Sequence, residues 1–104
     1  MAPRGLLVIE NTGQVWLGNQ SCWGSSIAGR HIFEALGVAD HMGVSQIGGH
    51  NHCQFPASQE PQVEAFISKF LLGDTSVNTT VVETDGGYTY DQKMWQPWTV
   101  PTLA

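Results

Sequence analysis

Two short apolar runs, Gly5-Leu6-Leu7-Val8-Ile9 and Met42-Gly43-Val44-Ser45-Gln46-Ile47, constrain the fold more than any other feature of this chain. Runs of strand length that carry Val and Ile without polar alternation are the pattern of strands buried on both faces, as in a parallel sheet. Between them, Ile27, Ile32, Phe33 and Leu36 stand at helical spacing. The expected helix covers residues 25–36, capped by Ser25 or Ser26 and stopped by Gly37. A second helix is expected over 60–72, with Pro61 in its first turn, Val63, Phe66, Ile67, Phe70 and Leu71 on its apolar face, and Gly73 as its stop. Strand-to-strand spacing of roughly 30 residues is that of a βαβ unit, which requires a parallel sheet. A two-stranded parallel sheet cannot cover its own edges, and about 100 residues of this pattern bury too little surface to stand alone. The expected architecture is therefore α/β, with both strands belonging to a larger, mostly parallel sheet completed by residues outside this chain.

The remaining segments read as connections. Glu10-Asn11-Thr12-Gly13 ends the first strand, and residues 14–24 form a loop that carries Trp16 and Trp23, with Gly18 and Gly24 as breaks. Residues 48–58 form a second loop. The tail holds a strand-like piece at Thr79-Val81-Val82, a turn at Asp85-Gly86-Gly87-Tyr88, and an extended, proline-rich stretch from Trp95 to Leu103. After Met1-Ala2-Pro3-Arg4 the chain enters a core strand with no signal-peptide h-region, the pattern of a cut fragment or a partial gene model.

Composition excludes some functions. A net charge of −5 with four Lys and Arg argues against nucleic-acid binding, which needs a basic footprint. No stretch approaches the ~20 apolar residues of a membrane span. Charged residues make up 12% of the chain, against a typical ~25%, and four tryptophans accompany them, which suits a secreted or sugar-facing protein. Two sequons, Asn19-Gln20-Ser21 and Asn78-Thr79-Thr80, would accept N-glycans in a secreted protein. Cys22 and Cys53 allow three states: paired with each other, paired outside the chain, or free.

The chemistry concentrates in Gly49-His50-Asn51-His52-Cys53. A histidine on a glycine-rich loop just past a strand is how an α/β-hydrolase presents its general base. Histidine suits that role because its pKa lies near neutrality. His52 is the candidate base; a loop histidine bonded to backbone is the plain alternative. Metal binding by His50 and His52 with Cys53 is a weak third reading, because no second Cys/His cluster stands at ligand spacing. The nucleophile elbow G-x-S-x-G has two near-misses, around Ser45 and around Ser25-Ser26, and neither has the spacing. In this fold the chain order is serine, acid, histidine, so closing strands alone hold the histidine and at most the acid. Glu10, after the first strand, stands where many such enzymes place the acid, with a solvated loop carboxylate as the favoured alternative. Trp16 and Trp23 could stack on a sugar or pack in the core. Trp95 and Trp98 read as packing residues.

Pro3-Arg4-Gly5-Leu6-Leu7-Val8-Ile9, Trp16-Leu17-Gly18, the segment from Met42 to Cys53, Ala65 to Leu72, and the closing Trp98 to Leu103 together resemble the C-terminal part of fungal glucuronoyl esterases. The resemblance covers nearly the whole chain. It implies the C-terminal βαβα part of an α/β-hydrolase three-layer sandwich, with residues 1–104 as one section of a single domain. It implies a secreted, extracellular serine esterase, monomeric when full length, that needs no cofactor or metal. The implied substrate is the ester between 4-O-methyl-glucuronic acid of glucuronoxylan and lignin alcohols. By the same resemblance His52 is the catalytic histidine, Trp16 lines the glucuronate pocket, and Cys53 pairs with a cysteine beside the nucleophilic serine upstream. The acid also lies upstream in that pattern, which weighs further against Glu10. One departure stands out: the family has a cysteine after the glycine where this chain has Ser25, and Cys22 lies three positions earlier, so its partner is open. An inactive remnant or a carbohydrate-binding fragment is the alternative reading.

Overall fold

The computed structural model describes residues 1–103. Strand β1 (Leu6–Glu10) leads through a 3₁₀ turn (Val15–Leu17) into helix α1 (Asn19–Ala35). A second 3₁₀ turn (Ala39–His41) precedes strand β2 (Met42–Gln46). Helix α2 (Glu60–Phe70), strand β3 (Val82–Thr84) and the short helix α3 (Gln92–Trp95) follow. The sheet order is β1-β2-β3, all parallel, with Leu6 opposite Met42, Val8 opposite Val44 and Val44 opposite Val82. The expected two strands are thus joined by a third, at residues 82–84 rather than 79–82. β3 is short and mostly exposed, which is why its pattern in the sequence is faint.

All five residues of β2 are buried, as its central position requires. Side chains alternate across the sheet. On one side Leu6, Val8, Met42 and Val44 pack with Trp23, Ile27 and Phe33 of α1. On the other, Leu7, Ile9 and Gly5 meet Val63, Phe66, Ile67 and Phe70 of α2 around a groove of about 310 Å³. The helices therefore lie on opposite faces, giving the three-layer arrangement. The outer edge of β1 pairs with no strand among the described residues.

Helix α1 begins six residues earlier than its sequence pattern suggested. Gly18, left-handed at φ 73°, starts it, and Ser25 lies inside it, its hydroxyl donating to Cys22 O at 3.2 Å rather than capping. Trp23 therefore belongs to the helix and is buried in the core, so packing and not sugar stacking accounts for it. Gly24 does not break the helix but lies within it, under the Trp95 ring: a Cβ at residue 24 would stand 2.3 Å from Trp95 Cε2. The apolar stripe also divides. Ile27 and Phe33 face the sheet, whereas Ile32 and Leu36 face a cleft shared with Trp98, Pro101 and Leu103 of the tail. Of the stretch expected to be extended, Trp95 to Leu103, only Trp95 is helical, as the last residue of α3, which Asp91 caps by accepting from the Lys93 and Met94 amides.

Polar contacts join the lower ends of these elements. Lys69 of α2 donates to the Asp40 carboxylate and to Thr79 Oγ1 at 3.2 Å, and Thr79 in turn donates to Asp40 O at 2.6 Å. The Lys69 contact holds the Asp40 carboxyl below its ordinary range. The sequon at Asn19 is closed by the fold: Asn19 is 2% exposed, and its amide donates to Asn11 O at 3.1 Å, leaving no room for a glycan. Asn78 is exposed.

Alanine is favoured over glycine by about 1 kcal/mol in a free helix. Gly24→Ala is expected to lower the thermal midpoint all the same, because its methyl must displace Trp95. A raised midpoint would show that α3 is not seated on α1 at this point.

Candidate functional site

The carboxyl ends of the three strands open onto one edge, with Glu10, Gln46 and Thr84 in register. The ladder runs one residue further: Ile47 N–H donates to Glu10 O at 3.0 Å and Asp85 N–H to Gln46 O at 3.1 Å. Three loops leave this edge, from Asn11, Ile47 and Asp85. Ligand sites of open α/β sheets gather at such edges, because the loops there can present side chains without disturbing the ladder.

The loop after β2 carries the histidines, and its neighbours fix it at two points. Asp85 accepts from Gly48 N–H at 2.8 Å and from the Thr12 hydroxyl at 2.5 Å. Residue 48 must be glycine in this arrangement, since a Cβ there would stand 2.5 Å from Thr12 Oγ1 and 3.1 Å from Gly13 N. Asn11, itself buried, donates to His50 O at 2.9 Å, approaches His50 Nδ1 at 3.2 Å, and accepts from Gly13 N–H at 2.8 Å. His50 Nε2 lies 2.9 Å from Ile47 O. His50 Nδ1 also lies 3.0 Å from Asn51 O, so both ring nitrogens meet groups of the loop or the Asn11 amide that supports it.

His52 differs. It is exposed, and its Nδ1 contacts Cys53 Sγ at 3.2 Å while Nε2 has no protein partner among the described residues. It lines a pocket of about 250 Å³ with Glu10, Asn11, His50, Cys53 and Phe55. Because His50 turns into the loop backbone, the His-x-His pair does not converge on a shared point, and no cluster of three or more His, Cys, Asp or Glu could hold a metal among the described residues.

Two buried amides support the loop from beneath. Gln46 donates to the Glu10 carboxylate and to Asn19 O at 3.0 Å, tying β2 to β1 and to the start of α1. Gln59, just before α2, donates to Ser45 O at 3.1 Å and Ser45 Oγ at 3.0 Å. Glu10 is therefore a strand-end carboxylate anchored by Gln46 on the pocket wall, not a freely solvated loop residue. Cys22 and Cys53 are both free thiols here. Burial, then the neighbouring Glu10 carboxylate, pushes the Cys22 thiol up.

Trp16 projects from the 3₁₀ turn after β1, on the same sheet edge, and is 72% exposed. It does not line the His52 pocket. So large an exposed aromatic surface is more informative than a buried one. Asn11, Gln46, Gln59 and Asp85 escaped the sequence reading. Asn11 and Asp85 are ordinary turn formers, and their role depends on residues far along the chain.

Residues 1–37 match the model of the family described as glucuronyl esterase, fungi. The 4-O-methyl-glucuronoyl methylesterase of Hypocrea jecorina is 51% identical over 104 residues, which is 100% of this chain and 22% of that protein. The 4-O-methyl-glucuronoyl methylesterase 1 of Phanerochaete chrysosporium is 47% identical, again over 100% of this chain and 22% of its relative. The chain thus spans about a fifth of the length of these relatives. Among solved structures, the glucuronoyl esterase catalytic domain from Hypocrea jecorina superposes with a TM-score of 0.89 at 50% identity, covering 99% of this chain and 27% of that one. A serine-to-alanine mutant of the glucuronoyl esterase from Sporotrichum thermophile, in complex with methyl 4-O-methyl-β-D-glucopyranuronate, superposes at 0.87 with 46% identity over 99% of this chain and 27% of its own. The expected fold, part of an α/β-hydrolase with a mostly parallel sheet, is the fold of these neighbours.

The Thr12 hydroxyl, then the Gly48 amide, hold the Asp85 carboxyl below its ordinary value of 3.8. A carboxylate favoured in the folded state contributes above its unfolded pKa, and that contribution is lost as pH falls through the lower folded pKa. A carboxyl-selective NMR titration should place the Asp85 midpoint below 3.8, with Thr12→Val raising it. A midpoint at or above 3.8 in the unaltered protein would mean that the carboxylate does not bind the two loops together.

Proposed function

Since the chain belongs to the fungal glucuronoyl esterase family over the C-terminal portion it spans, we propose that it supplies the histidine-bearing section of a serine carboxylic-ester hydrolase, with His52 as general base. The observation that carries this reading is the contrast between the two loop histidines. His50 spends both ring nitrogens inside the loop, whereas His52 faces the pocket with Nε2 free. Only the second can exchange a proton with a reacting group without first breaking the loop.

In the reaction, His52 takes the proton of a serine hydroxyl supplied by residues outside this chain as that oxygen attacks the ester carbonyl. The protonated imidazole then gives the proton to the departing alcohol. In the second half His52 takes a proton from water, which attacks the acyl-enzyme. The acid is released, and the proton returns to the serine oxygen. A carboxylate upstream orients the ring. The 104 residues by themselves hold no serine at an elbow and would be inactive as a separate polypeptide.

The names of the relatives, and the glucuronate ester bound by the Sporotrichum thermophile mutant, support an ester of 4-O-methyl-glucuronic acid as substrate. We assign the alcohol side to lignin and the acid side to glucuronoxylan. Trp16 stacks its exposed face on the sugar, a contact that suits the flat apolar face of a pyranose. Cys53 pairs with a cysteine beside the nucleophile, which would join the two catalytic loops. The protein acts outside the cell, and its low charge and the exposed Asn78 sequon are consistent with that. The open edge of β1 and the apolar groove beside α2 support the view that residues 1–104 form one section of a single larger domain.

In the complete esterase, His52→Ala should lower kcat on a glucuronate ester by roughly 10⁴-fold or more with an unchanged fold, whereas His50→Ala should cost about tenfold. Equal effects of the two, or activity retained without His52, would reject the assignment. Trp16→Ala should raise KM about tenfold while leaving kcat within a factor of two or so, the size of one lost aromatic contact. An unchanged KM would remove Trp16 from the sugar site.

A further inference from the structure

We propose that Asp85 and Asn11 are positioning residues that hold the His52 loop in its reactive place, one at each end of the segment 48–50. This rests on the reading of His52 as general base. Both residues lie on neighbouring loops, one beyond β3 and one beyond β1, so the pair clamps the central loop from its two sides.

The Asp85 arm fixes the entry of the loop. Its carboxylate receives Gly48 N–H at 2.8 Å and the Thr12 hydroxyl at 2.5 Å, spanning from β3 across the exit of β2 to the turn after β1. Neither bond is part of the ladder. The ladder ends with the Asp85 N–H on Gln46 O, so without this side chain the loop would be unsupported from Gly48 onward on that side. The Asn11 arm fixes the exit. Its amide donates to His50 O at 2.9 Å and faces His50 Nδ1, and its own oxygen is held by Gly13 N–H at 2.8 Å. Asn11 is 8% exposed, so its orientation is set by packing as well as by these bonds. Between the arms, the His50 ring closes onto Ile47 O at 2.9 Å and fills the inside of the turn. His52 follows two residues after the second arm. A base must stay within hydrogen-bond reach of the proton it takes, and small displacements of such a group cost large factors in rate.

The two arms demand opposite chemistry, which gives the test. Asp85 acts as an acceptor. In Asp85→Asn the carboxamide oxygen can accept from Gly48 N–H while its NH₂ donates to Thr12 Oγ1, so the geometry survives without the charge. Asn11 acts as a donor toward His50 O. In Asn11→Asp the oxygen toward Gly13 is kept and the donor is lost, leaving a carboxylate against a carbonyl. The experiment uses the complete protein with a methyl glucuronate ester, reading kcat and KM, and adds amide hydrogen exchange on the same samples at Gly48, bound by Asp85, and at Asn51, whose N–H belongs to the peptide unit that Asn11 holds through His50 O and itself donates to Gln54 Oε1 at 3.3 Å.

Asp85→Ala and Asn11→Asp should each lower kcat about tenfold or more with KM within twofold, and should speed exchange at Gly48 and Asn51 respectively. Asp85→Asn should restore kcat to within about threefold and keep Gly48 protected. If Asp85→Asn is as impaired as Asp85→Ala, the charge and not the clamp matters, and the proposal fails. It fails also if Asp85→Ala and Asn11→Asp turn over like the unaltered protein. Should Asp85→Ala not fold, Thr12→Val removes half of the same arm and is read identically, with a smaller loss expected. If the unaltered protein has no esterase activity, the reading of His52 falls. Exchange at Gly48 and Asn51 then decides the clamp by itself, with protection unchanged in both variants overturning it.

Discussion

Strand β2 is the element on which the rest of this structure depends. Its five residues are buried, and it is paired on both sides in parallel. Parallel pairing puts the ends of β1, β2 and β3 on one edge. The loops that leave the edge can therefore reach one another. Without that register Asp85 could not bridge to Thr12, and Asn11 could not reach His50. The buried amides of Gln46 and Gln59 extend the same logic one layer down, converting the last residues of β2 into anchors for β1, α1 and the approach to α2. In both residues it is the amide nitrogen that is bonded, and those bonds offset part of the cost of burying the group.

The site is divided between rigidity and reactivity. His50 and His52 are two residues apart and chemically identical, yet their surroundings give them different work. Both line the pocket beside Glu10, but the first has its ring nitrogens against Asn11 and Ile47 O, and the second leaves Nε2 free. The proposed role of His52 fits this separation: one imidazole stabilises the loop, and the other is not tied down by hydrogen bonds from Nε2. Trp16, on the neighbouring loop, is exposed as well.

Much of this was legible in the amino-acid sequence. The apolar runs at 5–9 and 42–47 and the helical period after Glu60 were enough to place β1, β2 and α2 within a residue or two, and with them the parallel fold and the position of the His52 loop. The start of α1 was not legible. Trp23 and Gly24 look like loop residues until Trp95, far along the chain, is seen to lie on the glycine. β3 is too short and too exposed to leave a period. The difference between the two histidines was hidden as well, because it is set by Asn11, 39 residues away from His50 in the chain. Asp85 sits in an Asp-Gly-Gly turn, and a turn is all that its neighbours in sequence suggest.

The central claim is that the free nitrogen of His52 serves a serine contributed from elsewhere in the fold. A crystal structure of the complete protein with a glucuronate ester bound at the site tests it most directly. The account predicts His52 Nε2 within hydrogen-bond reach, about 2.6–3.2 Å, of a serine Oγ beside the ester carbonyl, with a further strand paired along the open edge of β1. A serine lying out of reach of His52, or an ester bound away from the His52 pocket, would contradict it.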